Sequence, residues 1–343
     1  NVLATNIHAR INSEKREGYR IMKAAVERDI QLLEVGAALI VCKTGDLLNN
    51  IARVEEDFNL PKGVESRRHK LYNASYYAAS DITPDNVDEH IKYAKMGGFR
   101  SMKIPYSAIV ESGPSWSKKG DYDWRKSIYP NEREDLENLL KKIKGKGISP
   151  GLHFLHSHIG RDSRYVTPIP DHRLNLLKYF TLAKPLGTSD TEIFVEQNPV
   201  STTLADGMRV LKIGTELVSY ESYTTSWPYK FIGCTRGVDK TTINSLPVGT
   251  IFGLLDVSEF GTQRSVYIDQ RTSLQDEIAE KLENIYNAGF EFCYFDGSEG
   301  VNPPFWFNNP YAQWRVYKRF DPTPIYAEGA AKSHFSWHML SGG

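Results

Sequence analysis

The sequence predicts an α/β fold of the (β/α)8 TIM-barrel type, incomplete within this chain. Three observations carry that expectation. From Leu71 onward, strand-like and helix-like stretches alternate, which predicts a parallel sheet with right-handed crossovers. The run Phe292, Cys293, Tyr294, Phe295 is apolar without alternation, as in a strand covered on both faces. Acids, imidazoles and aromatics follow the strand-like stretches, the end at which parallel α/β folds bind ligands.

Taken in order, residues 13 to 58 read as two or three helices interrupted at Gly45, so 1–70 is expected to be a helical lead-in. The first barrel part, 71–187, opens with the strand "LYNASYYAAS". It continues with the helix "TPDNVDEHIKYAKMGG", placed by Pro84 near its start and Gly97 after its end. The strand "FRSMKIPY", the amphipathic helix "NEREDLENLLKKIKGKG" and the strand "ISPGLHFLHSHIG" follow. Across 188–258 the helical period vanishes and short strands alternate with Gly, Pro and Asn turns, so an inserted all-β module is expected there. The rhythm resumes in 259–343 with the helix "SLQDEIAEKLENIYNAG" and the strands "FEFCYFDG", "PTPIYAEGA" and "HFSWHML". The two barrel-like stretches hold roughly 200 residues where a complete barrel takes about 250. The expectation is therefore that the last units lie beyond this chain, the alternative being an open sheet.

With 343 residues and 40% hydrophobic content the chain can bury a large core. Lys plus Arg and Asp plus Glu both number 42, so no global positive field points to nucleic acid. No apolar run approaches the roughly 20 residues of a membrane span. Cys42, Cys234 and Cys293 are too scattered for a disulfide framework or a zinc ribbon, and no cofactor or resident metal is indicated. The chain begins at Asn1, not Met, which fits a removed leader and a secreted or periplasmic protein, and fits an excised fragment equally well. Oligomeric state is not legible. The 19 Tyr and 6 Trp supply faces on which pyranose rings could stack.

The strand ends gather the chemistry. Tyr106 and Trp116 follow the second strand; His156, His158 and Asp162 the third; Asp296 and Glu299 the fourth; Glu328, Lys332 and His334 the fifth. Glycosidic cleavage requires one carboxylic acid to protonate the leaving oxygen and an ionised carboxylate to attack the anomeric carbon or activate water. Separations of about 5–5.5 Å give retention and roughly 6.5–9.5 Å inversion. Asp296, followed by Gly297, is the candidate for the ionised partner, with Glu328 or Glu299 as its acid. Tyr106, Trp116, Tyr294, His156, His158, Lys332 and His334 are the candidates for sugar contacts.

The stretches "NVDEHIKYAKMGGFRSMKI", "YDWRKSIYPNEREDLENLLKKIKGKGISPGLHF" and "FCYFDGSEG" resemble, in content and order, the layout of the α-galactosidase and α-glucosidase superfamily of glycoside hydrolases. The resemblance covers roughly 72 to 158 and 274 to 300. It implies a TIM-barrel glycosidase acting on an oligo- or polysaccharide, with Asp296 as nucleophile. Those families carry their acid/base aspartate after the sixth strand, where "HFSWHMLSGG" has no acid. That leaves a residue past Gly343, or Glu328, for the role. Two rival classes stay open. A metal-dependent hydrolase would use His156 and His158 as a His-x-His pair on one strand face. A degenerate barrel would bind carbohydrate without cleaving it.

Overall fold

The computed structural model describes residues 1–257, 265–301 and 303–342. Its contacts divide the chain into two compact units, one of residues 1–110, 124–156 and 275–343, the other of 111–123 and 157–274.

The first unit is built on a five-stranded parallel sheet whose strands lie side by side in sequence order: Tyr77–Ala78, Ser101–Pro105, Ser149–Leu155, Phe292–Asp296 and Tyr326–Gly329. Between consecutive strands come the helices Val87–Met96 and Arg133–Lys144, and later Ser273–Tyr286 and Phe305–Tyr317. This is the α/β alternation read from the sequence. No closed barrel forms among the described residues: the first and fifth strands are the two edges of an open sheet. The expected sixth strand is instead the short helix Ser336–Met339, after which Gly342 makes a parallel bridge to Glu328 on the outer side of the fifth strand.

Strand register gives the sheet two chemically different faces. Ile104, Leu152, Cys293 and Ala327 stand opposite one another, as do Phe154, Phe295 and Gly329, and all face one way. Phe154 packs edge-on against Phe295 at 4.8 Å and against Phe320 at 5.9 Å, and Phe320 stacks on Tyr286 at 4.0 Å. The other face carries Ala78, Lys103, Gly151, Phe292 and Tyr326 in one row, and His153, Tyr294 and Glu328 in the next. Asp296 lies one step further, opposite Leu155. The run Phe292 to Phe295 is therefore not covered by apolar groups on both sides. A tyrosine satisfies an apolar pattern while its phenol serves a polar face.

The lead-in departs from the helical expectation. Arg10–Arg16 and Tyr19–Ala25 form an antiparallel hairpin with Glu17 and Gly18 in the loop, Gly18 at φ 77°. Val2–Ala4 pairs with Ala37–Leu39. Among the described residues of the lead-in, α-helix is confined to Leu47–Asp57 and Gly63–Arg68, with 3-10 turns at Leu32–Glu34 and Thr44–Asp46. The apolar residues at 21 to 26 mimic a helical period, but a glycine shortly before them supplies the tight reversal that turns the chain back on itself.

The second unit is described on its own. Leu176–Thr181, Ile251–Leu255, Val210–Ile213 and Glu216–Ser219 form one antiparallel sheet, and Glu192–Phe194, Lys230–Ile232 and Ser222–Tyr223 another. Phe180, Ile193, Val218, Phe231 and Phe252 share a core, and the buried Arg236 guanidinium pairs with the buried Glu216 carboxylate. Antiparallel pairing is already present at His158–Gly160, which pairs with Ser265–Tyr267, ahead of the expected 188, and the expected boundary at 258 to 259 lies outside the described residues.

Gly151 is the close-approach point of the polar face, because a Cβ there would sit 2.1 to 2.4 Å from the Phe292 ring atoms. Gly151→Ala should cost about 1–3 kcal/mol, the usual penalty for overpacking a rigid core. Urea unfolding should show this as a lowered midpoint with an unchanged slope; an unchanged midpoint would mean that the ring moves aside freely.

Candidate functional site

The carboxyl end of the fourth strand presents Asp296 on the polar face, and the preceding strand supplies its partner. His153 Nε2 donates a hydrogen bond to Asp296 Oδ2 at 2.8 Å, with both side chains partly exposed. Burial alone would raise this carboxyl. The hydrogen bond and charge of His153, the Gly297 N–H and the charge of Lys103 together outweigh burial and hold Asp296 below the usual carboxylate range. The group is therefore ionised at neutral pH, as an attacking carboxylate must be.

Around it the polar face is aromatic. Tyr294 meets the His153 ring edge-on at 5.3 Å. Burial first, and then the Asp296 carboxylate, push the Tyr294 phenol up to about 12. Tyr106 opens the 3-10 turn Tyr106–Ala108 with its phenol buried; burial, followed by Asp296, pushes it upward too. Lys103 Nζ donates to Tyr76 Oη at 2.8 Å, 4.2 Å from the Tyr76 ring centroid and 4.8 Å from that of Tyr294. On the fifth strand the buried Glu328 carboxylate accepts a hydrogen bond from Tyr326 Oη. Glu328 is in register with Tyr294, so Asp296 and Glu328 belong to the same face of neighbouring strands.

The other sequence candidates divide. Glu299 is exposed, and its charge, among others, reaches Tyr294. The exposed Lys332 ammonium is lowered, first by burial and then by Arg67, with Glu328 acting in the opposite sense. His334 is committed elsewhere: its Nδ1 accepts the Ile11 N–H at 3.0 Å and its ring stacks on Trp306 at 4.8 Å, which ties the hairpin to the C-terminal part of the first unit. His156 is buried on the apolar side, edge-on to Phe295 at 5.1 Å and hydrogen-bonded to Ser298 Oγ at 2.9 Å. Burial pushes its imidazole down to about 4 against an opposing pull from Asp296, so it is neutral at pH 7. It does not present itself to a sugar on the Asp296 face.

His158 and Trp116 belong to the second unit. The third strand ends at Leu155, and His158 starts a separate strand, His158–Gly160, paired with Ser265–Tyr267. The expected His-x-His pair therefore does not share one strand face. Among the described residues no group of three or more His, Cys, Asp or Glu side chains is arranged to hold a metal ion. Trp116, with φ 59°, is partly exposed in the loop after the second strand.

Two residues central to this geometry, His153 and Lys103, are missed by a reading of the sequence centred on strand ends, because both lie inside strands. The signal that could have found His153 is period two: His153 and Leu155 alternate with Leu152 and Phe154 in "GLHFL".

Comparison with solved structures finds glycoside hydrolases at low identity. An α-galactosidase from Lactobacillus brevis is 11% identical with a TM-score of 0.42, over 86% of this chain and 32% of that one. A GH36 α-galactosidase from Geobacillus stearothermophilus is 11% identical with a TM-score of 0.42, over 85% and 33%. A trehalulose synthase is 11% identical with a TM-score of 0.40, over 75% and 44%. The chain spans about a third of the length of the two α-galactosidases. No protein-family model and no curated protein matches it.

The His153 hydrogen bond lowers the Asp296 carboxyl and burial raises it, so removing the bond must move the titration upward. In carboxyl-carbon NMR, Asp296 should titrate below the usual carboxylate range in the native chain and at higher pH in His153→Ala. Identical titrations would show that His153 does not control the charge of Asp296.

Proposed function

We propose that the chain carries the cleavage site of a glycoside hydrolase, with Asp296 as the ionised carboxylate acting at the anomeric carbon and Glu328 as the acid acting on the leaving oxygen. The observation that supports this most directly is an Asp296 carboxylate kept ionised by His153 at the carboxyl end of a parallel strand, on the same face as a second acid one strand away. Glycosidic cleavage calls for two carboxyl groups in different environments, and Asp296 with its His153 partner and Glu328 with its Tyr326 partner are two carboxyl groups in different environments. In this reading Tyr294 and Tyr76 offer ring faces and phenolic donors to sugar hydroxyls. The Tyr294 phenol keeps its proton throughout the physiological range, because burial and nearby carboxylates disfavour its phenolate. The substrate class is an oligo- or polysaccharide, and a secreted or periplasmic location goes with such a substrate.

The metal-dependent alternative draws little support, since His156 follows the end of the third strand, His158 starts another, and His156 is hydrogen-bonded to Ser298. A carbohydrate-binding protein without turnover would use the same face. Substitution separates the two.

Asp296→Asn keeps the shape of the side chain and removes its charge. Turnover of any cleaved glycoside should fall by several orders of magnitude while binding persists, because an amide cannot replace an attacking carboxylate. Glu328→Gln should impair substrates with poor leaving groups most and spare activated aryl glycosides. The measurement is kcat and KM on a glycan panel with the full chain. A near-normal kcat in Asp296→Asn would overturn the assignment, and an absence of cleavage with retained glycan binding by the native chain would favour the binding protein.

A further inference from the structure

The polar face carries a cation that glycosidic cleavage does not require. Lys103 reaches up from the second strand, and its ammonium is fixed between two aromatic faces, those of Tyr76 and Tyr294, with one hydrogen bond donated to Tyr76 Oη. An ammonium has three donors, and among the described residues no carboxylate forms an ion pair with this one. Aromatic faces hold a cation in place without neutralising it. The side chain is half-buried, so water can meet its remaining donors in the free chain, and a ligand lying over this face must supply an acceptor in place of that water.

The plain alternative is that Lys103 serves only as a counter-ion to Asp296. The carboxylate already has the His153 hydrogen bond and the Gly297 N–H, and the influence of Lys103 ranks behind both. Support of the Asp296 charge is thus shared, and does not by itself account for the place of Lys103 between two rings. A neutral sugar would leave the ammonium facing only the Asp296 carboxylate. A sugar bearing an anion would be repelled by that carboxylate unless a cation stood ready to receive it. The fixed position of Lys103 answers the second situation and not the first.

We propose that Lys103 is a specificity residue that pairs with an anionic substituent, a ring carboxylate or a sulfate ester, on the sugar bound against Asp296. The proposal deepens the glycosidase reading and rests on it for the position of the sugar, so its test reads binding separately from cleavage. The full chain carrying Asp296→Asn is titrated calorimetrically with three matched oligosaccharides: a uronic-acid oligomer, the same oligomer with its carboxyls reduced to alcohols, and a sulfated form of the reduced oligomer. The titrations are repeated with Lys103→Met and Lys103→Arg added, each checked for native thermal unfolding.

An anionic ligand should bind about tenfold or more tightly than the neutral one, the worth of a charge-assisted hydrogen bond. Lys103→Met should abolish that preference and Lys103→Arg should keep most of it. Preference for the uronate assigns a carboxylate, and preference for the sulfated form assigns a sulfate ester. Because every titration shares Asp296→Asn, the general gain for anions from removing that charge cancels between the Lys and Met forms. Equal binding of charged and neutral ligands, or a preference that survives Lys103→Met, overturns the proposal. If Lys103→Met fails to unfold like its parent, Lys103→Gln supplies the neutral side chain and the same comparison decides. Should the native chain cleave none of the three while the Lys103-dependent preference holds, the glycosidase reading falls and the anion site stands. Cleavage of the neutral oligomer without any charge preference removes the anion site and leaves the glycosidase reading in place.

Discussion

Every feature of the candidate site hangs on the register between Ser149–Leu155 and Phe292–Asp296, in which Gly151 stands opposite Phe292, His153 opposite Tyr294 and Leu155 opposite Asp296. A slip of one residue in a strand sends its whole set of side chains to the other face. In that arrangement Phe154 would meet the polar groups and His153 would enter the aromatic packing around Phe320. The fit between the missing side chain of Gly151 and the ring of Phe292 opposes such a slip, because no other residue of that strand leaves room for the ring. The hydrogen bond between His153 and Asp296 then follows from register, one step up the same two strands.

Long periodic elements were legible in the sequence for a physical reason. The helices Arg133–Lys144 and Ser273–Tyr286 bury one stripe and solvate the other, and the five parallel strands appear as short runs between them. Less was legible where one local signal satisfied two structures. Residues 21 to 26 fit a helical period and a hairpin arm alike, and only the pairing of Arg16 with Tyr19 across Glu17 and Gly18 decides. "HFSWHML" is a plausible strand by composition, yet Ser336–Met339 is helical, with Ser336 hydrogen-bonded to the buried Gln313.

The site was half legible. Asp296 stood out because an apolar run ended in an acid, and Tyr294 and Glu328 came with it. His153 and Lys103 did not, because a polar residue inside a strand looks like an interruption until the neighbouring strands are known. His156 and His158 drew attention by their spacing, but spacing predicts a shared face only within one strand, and the third strand ends at Leu155. Period two is an argument about a strand, and the sequence does not mark where a strand stops.

The electrostatics of the polar face follow from the same geometry. Burial disfavours charge on both Tyr294 and Asp296, and their partners decide which of the two escapes it. Tyr294 submits and keeps its proton, while Asp296 escapes because His153, Gly297 and Lys103 favour its charged form. On the opposite side of the sheet, the more deeply buried His156, with Ser298 as its hydrogen-bond partner, stays neutral. The polar face thus holds the Asp296 and Glu328 carboxyl groups and the Lys103 ammonium, set among phenols that can donate or accept hydrogen bonds. Such a surface has directional donors for hydroxyl groups, and the proposed reading gives the Asp296 carboxylate to the reacting centre and the Lys103 ammonium to a substituent. The two requirements are separable in the molecule because different strands supply them: the third strand tunes the carboxylate through His153, and the second carries the ammonium, held by Tyr76 just before the first strand and by Tyr294 on the fourth.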